Sequence, residues 1–321
     1  MAVMKSSALV VATALLSGNV LAQTYPTKPV RIVVPYPAGG TVDIVGRMVG
    51  QRLTETLGRT FLIDNRAGAS GNIGTEFVAK SPPDGYTLLM SSAAPLAANP
   101  AFFPKLPFQP LKDFSPITLI VIQPNILVVN PNVPVRTVKE FIALAKAKPG
   151  VLNYGSSGVG NSQHMAAELF RYYTHVNITH VPYKGGAPAL TDLVGGQIDL
   201  LFEPIPGTIP YVRSGRLRAL AVTTKERSET FPDVPAMREA GLPDYEYRGW
   251  IGLLAPAGTP PEIVNMLHGE IVKALGGGLA PKLKEFAFVV SGNGPQEFAP
   301  FIKKELELHQ KIVAAAGIKP E

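Results

Sequence analysis

The chain has 321 residues, with 30 Lys+Arg against 24 Asp+Glu, a formal charge of +6 and no cysteine. Positive and negative residues alternate, as in Lys225-Glu226-Arg227 and Lys303-Lys304-Glu305, which argues against a basic stripe for nucleic acid. Lack of cysteine removes both a disulfide framework and lipid attachment through a thiol.

The N-terminus reads as an export signal. Lys5 provides the positive start, Ala8 to Leu16 the apolar run, and Val20-Leu21-Ala22 the small-residue ending. Cleavage is expected after Ala22. Ser17, Gly18 and Asn19 interrupt the run well short of the ~20 apolar residues that span a bilayer, so the protein is not expected to be membrane-embedded. The expected location is the periplasm.

From Val30 the pattern is α/β. "VRIVVPY" reads as a strand, "DIVGRMVGQRLTETLG" as a helix stopped by Gly58, and "TFLIDN" as a second strand. "RAGASGNIG" is a glycine-punctuated turn before the helix "TEFVAKS", and "PPDGYTLLMSS" gives a turn and a third strand ending at Ser92. This is a βαβαβ half with a parallel sheet. A similar order recurs after Pro149: "VLNYGSS", "GVGNSQHMAAELFRYY", "NITHVPY", "GGAPALTDLVGG" and "QIDLLFEP" alternate strand and helix.

Between the halves, "FSPITLIVIQPNILVVNP" is too apolar for a surface linker and reads as extended chain passing from one sheet to the other; "YEYRGWIGLLAPAGTP" carries the chain back. The expected architecture is two α/β lobes joined by a two-segment hinge, with a cleft between them. Its boundaries are 1–22 for the leader, 23–123 with 247–321 for the first lobe, and 124–246 for the second. The C-terminal helices, Pro261 to Leu279 and Gln296 to Ala316, are expected to complete the first lobe.

Ligands of open α/β sheets bind beyond the carboxyl ends of strands. Two turns there suit an anion without any Lys or Arg. In Tyr36 to Asp43, Ala38, Gly39 and Gly40 let backbone approach a ligand, Thr41 adds a hydroxyl, and the next helix points its free N–H groups at the same spot. In Tyr154 to His164, Ser156, Ser157, Asn161 and Ser162 supply neutral donors around Gly158 and Gly160.

Either turn alone would be an ordinary βα connection, but two in corresponding places favour a site. Asp43, four residues before Arg47, reads first as a helix stabiliser and second as a ligand-orienting group. His164 is expected to stay neutral at the helix N-terminus and to donate to a ligand. Glu203, at the carboxyl end of its strand, is placed to accept from a ligand amine or hydroxyl, or to cap the next segment.

Enzymatic readings fare worse. Gly155-Ser156-Ser157-Gly158-Val159 lacks the last glycine of a nucleophile elbow, so a periplasmic serine hydrolase using Ser156 or Ser157 with His164 is the weaker alternative. Neither phosphate-binding glycine motif occurs, and the five histidines have no metal-ligand spacing, so no cofactor or metal is expected.

Taken in order, "YPTKPVRIVVPYPAGGTVDIVGRMV", "IDNRAGASGNIG", "PPDGYTLL", "YGSSGVGNSQHMAAELF", "HVPYKGGAPALTDLVGGQIDLLF" and "GRLRALAVTT" resemble the Bug family, the extracytoplasmic solute receptors of tripartite tricarboxylate transporters. The resemblance covers essentially the whole mature chain. It implies a type II-like periplasmic binding protein fold of two α/β lobes that closes on a small carboxylate (amino acid, dicarboxylate or aromatic acid), often through waters bridging the carboxylate to the turns at Tyr36–Asp43 and Ser156–His164. It implies inner-membrane transporter subunits as partners. Tyr36, and Glu203 where Asp is the commoner expectation, are the positions at which this chain could set its own preference.

Overall fold

The computed structural model describes residues 25–103 and 105–315; the expected leader over 1–22 lies outside them. In the first sheet, β1 (Val30–Val34) lies between β2 (Phe61–Asn65) and β3 (Thr87–Ser92), all parallel. Ile32, Val33 and Val34 are all buried, as a strand covered on both faces by helices requires. Helix α1 (Thr41–Leu57) turns Val42, Val45, Val49 and Leu53 onto that sheet. Gly46 lets it sit close, since a Cβ there would stand 3.2 Å from the Val34 side chain. Gly58, at φ 65°, ends it in the left-handed region that favours glycine. Helices α2 (Asn72–Ala79) and α3 (Asn99–Phe102) complete this part of the chain.

Strand β4 (Phe114–Val129) belongs to both sheets. Its first part pairs antiparallel with β9 (Arg248–Pro256) on one edge and β10 (Val289–Asn293) on the other. From Asn125 it pairs instead with β7 (Leu200–Pro204) and β8 (Arg218–Val222). At the switch, the Asn125 side chain donates to the Phe202 carbonyl at 2.7 Å, and Tyr247 N donates to the Thr223 carbonyl where the chain returns. The second sheet continues through β5 (Asn153–Ser156) and β6 (Thr179–Pro182), with helices α4 (Val138–Ala147), α5 (Ser162–Thr174), α6 (Gly186–Gly195) and α7 (Ile205–Arg213).

Helix α8 (Pro261–Ala274) packs Val264, Leu267 and Ile271 into the first core, as expected, and α9 (Ala280–Glu285) follows. Helix α10 (Pro295–Ala315) corrects the expectation that the C-terminal helices serve one lobe. Its Phe298 and Ile302 pack with Trp250 in the first lobe, whereas Ile312 and Val313 join Leu127 and Phe170 in the second. A helix of 21 residues, at 1.5 Å each, outreaches a single lobe and becomes a third connection.

Candidate ligand site at the facing strand ends

At the carboxyl end of β1 the chain turns through exposed Ala38, Gly39 and Gly40 into α1. Asp43 is the brace of this turn. Its carboxylate accepts from Gly39 N at 2.8 Å, Arg47 Nε at 2.9 Å and Asn65 Nδ2 at 2.9 Å, and these bonds hold it below the usual carboxylate range despite its burial. It thus shapes the turn rather than facing a ligand. Gly39, at φ 83°, spends its N–H on Asp43, which leaves Gly40 and the first turn of α1 with N–H groups free. Tyr36 closes one side, its hydroxyl 2.6 Å from Ser92 Oγ, and burial pushes its phenol up.

The turn after β5 differs more from expectation. Ser156 is fully buried: its Oγ lies 2.7 Å from His180 Nε2 and 3.0 Å from the Gly158 carbonyl, and it accepts the Gly158 N–H at 3.1 Å. His164 points behind the turn, where its Nδ1 accepts from Gly160 N at 3.1 Å. Its ring stacks on His180 with centroids 4.3 Å apart. Side chains alternate along a strand and α5 buries this face, so both groups that were expected to meet ligand instead tether the loop. They also dispose of the hydrolase alternative: among the described residues His164 bonds neither serine, and the serine that meets a histidine is sealed from solvent.

Behind the histidines, Glu168 accepts from Tyr154 Oη at 2.5 Å and from Arg171 Nη1 at 2.7 Å. Burial and the Arg171 charge push His164 down to about 4, while burial, with His164 next, pushes His180 down to about 3. His309 of α10, 3.2 Å from Tyr247 Oη, is pushed by burial to about 4. These histidines are neutral in the fold, so unfolding takes up protons below about pH 6.5, and stability is lost as pH falls from there toward 3–4.

Burial acts oppositely on two carboxyls. Glu203 is raised to about 8 and Glu305, which accepts from Trp250 Nε1, to about 7, so their contribution is lost as pH rises from 4.5 through those values. The two limbs cross near neutrality, and the thermal midpoint is expected to peak at about pH 6. Melts from pH 4 to 9 test this; a midpoint climbing steadily to pH 9 would contradict it.

Residues that the sequence reading passed over bring the two turns together. Ser70, at φ 53°, and Gly71 form the turn after β2; Gly71 packs on the Tyr36 hydroxyl, and Ser70 Oγ lies 3.5 Å from where a Cβ on Gly158 would stand. A Cβ on Gly160 would stand 2.5 Å from Asn99 Oδ1, so Gly160, at φ 79°, is where the second lobe meets the first. Asn161 precedes α5 without capping it; only 8% exposed, its Oδ1 finds no hydrogen-bond partner. Ser157 donates from both N and Oγ to Gln163 Oε1, and Gln163 Nε2 donates to Glu203. The glycines of "AGASGNIG" were visible in the sequence, but not their partner loop.

Two sheets sharing one long strand, with glycine-rich turns at facing strand ends, define the two-lobed fold of the periplasmic binding proteins. The chain belongs to the tripartite tricarboxylate transporter family receptors, whose family model matches residues 45–318. It is 38% identical to protein BugT of Bordetella pertussis over 96% of this chain and 95% of that protein. Among solved structures, Rpa4515 of R. palustris with adipate is 39% identical, with a TM-score of 0.89 over 92% of this chain and 100% of that one. MatC from Rhodopseudomonas palustris with bound malate is 33% identical, with a TM-score of 0.85 over 90% and 100%.

Proposed function

We propose that this receptor captures a small carboxylate between its lobes, one carboxylate group lying between the free N–H groups of Gly40 and Thr41 and the Ser157–Asn161 loop. Tyr36, Ser92 and Ser70 line that position, and Asp43, Ser156, Gly160 and His164 hold the loops in shape. The observation that carries the reading is Asn161, a buried side chain whose Oδ1 has no hydrogen-bond partner among the described residues, at the meeting of the two turns. Neutral donors and bridging water suit a receptor that must release its cargo, because charge-assisted pairs would hold an anion more tightly. The adipate and malate in the two related structures support a carboxylate.

In this reading the lobes are 23–123 with 247–321 and 124–246, with the end of α10 crossing between them. The leader is removed after Ala22, and the closed form delivers its cargo to inner-membrane transporter subunits. A ligand touching both turns favours closure because only the closed form engages both donor sets. A thermal-shift screen of carboxylates selects the ligand, and X-ray scattering at saturation is expected to give a smaller radius of gyration than the free protein. Identical scattering curves would count against closure.

A further inference from the structure

Glu203 sits away from the Gly40 turn, at the end of β7, where the helices α6 and α7 begin. It is 6% exposed. Its Oε2 accepts from Gln163 Nε2, whereas among the described residues its Oε1 receives no hydrogen bond and no ion pair reaches the group. Two glycines let the backbone come close to that oxygen: a Cβ on Gly186 would stand 3.3 Å from Oε1, and one on Gly207 3.2 Å, both tighter than an ordinary contact. Gly186 opens α6 and Gly207 lies in the first turn of α7, and neither helix has a side-chain cap. The N-termini of two helices thus converge on the carboxyl of a buried side chain, one of whose oxygens receives no hydrogen bond among the described residues.

We propose that Glu203 reads the far end of the ligand, its carboxyl group donating a hydrogen bond to a second carboxylate seated at the N-termini of α6 and α7. This rests on the carboxylate reading above and narrows it to dicarboxylates. Converging helix N-termini attract an anion and repel an ammonium group. A second carboxylate could not lie against an ionised Glu203, so the acid must keep its proton. Burial raises Glu203 to about 8 against the Gln163 amide bond, which lowers it, so it is a neutral donor at pH 7. The groups set around it, Gln163 on α5, Gly186 on α6, Gly207 on α7 and Ile126 paired with it on β4, are all uncharged. Gln163 also holds Ser157, so both ends of the ligand meet one hydrogen-bonded chain.

Calorimetry on the mature protein with adipate, hexanoate and 6-aminohexanoate, and with succinate, butanoate and 4-aminobutanoate, tests the proposal. At pH 6.5 the preferred dicarboxylate is expected to bind at least roughly tenfold tighter than its monocarboxylate and amino-acid counterparts. Raising the pH to 9 weakens the wild type for that dicarboxylate by about tenfold, as the donor ionises, but leaves Glu203→Gln, whose amide still donates, nearly unchanged. Gly186→Ala, which suits a helix and adds a methyl beside Oε1, lowers dicarboxylate affinity and spares the monocarboxylate. A monocarboxylate that binds as tightly as its dicarboxylate overturns the proposal while leaving the receptor reading intact. Tightest binding by an amino acid overturns it too, because Glu203 would then act as an anion. Equal pH dependence in wild type and Glu203→Gln does the same, and failure of every carboxylate to bind removes both readings.

Discussion

Gly40→Val is expected to abolish carboxylate binding while leaving the protein folded. Gly40 has φ −76° and ψ 168°, an extended conformation open to any residue, and a Cβ there would meet only the Pro37 carbonyl at 3.5 Å. The valine is therefore accommodated by the fold, but its methyl groups occupy the approach to the N–H groups at the start of α1. Losing two hydrogen bonds to an anion costs roughly 3 kcal/mol, about two orders of magnitude in affinity. Replacing a glycine N-cap by valine costs the fold about 1 kcal/mol or less. Calorimetry with the best carboxylate from the screen, alongside a thermal melt, separates the two effects. Wild-type affinity in a folded Gly40→Val protein would place the site elsewhere.

The largest stability effect is expected from Glu168→Ala. Glu168 is 1% exposed and accepts from Tyr154 and twice from Arg171. Removing it strands the guanidinium beside a buried phenol and opens a cavity under the histidine stack. A fully buried pair broken this way costs about 3–5 kcal/mol, and because the Arg171 side chain is 32% exposed, solvent screening reduces this to about 2–3 kcal/mol here. For a chain of this size that is a midpoint lower by roughly 3–5 °C. Glu168→Gln, which keeps the volume and can still accept from Tyr154, should fall by less. An unchanged midpoint in Glu168→Ala would mean that the network adds nothing to the stability of the second lobe.

Much of the fold was legible because its elements are locally consistent. The buried run "VRIVV", the 3.6-residue spacing of Val42, Val45, Val49 and Leu53, and the stop at Gly58 all point the same way, and β1 and α1 follow them closely. Helix α4 carries a readable start as well, for Thr137 accepts from Glu140 N while Glu140 reaches back to Arg136 N, yet the sequence reading passed over it. The short strand β8 offered less, because its partner, the second part of β4, is remote in sequence.

The sequence by itself determined the main strands and helices of both lobes, that two α/β lobes share extended crossings, and that two glycine-rich turns stand at strand ends, because each is written in local periodicity and turn chemistry. Tertiary structure alone decided which side chains of those turns are spent on holding the fold. Read from the sequence, Ser156, His164 and Asp43 are as able to hydrogen-bond as Ser157, Asn161 and Glu203. Packing spends the first three on His180, Gly160 and Gly39, while among the described residues Asn161 Oδ1 has no partner and Glu203 is bonded through one oxygen. The path of α10 into the second lobe was likewise hidden, since an amphipathic stripe specifies that a face is buried and not which core buries it.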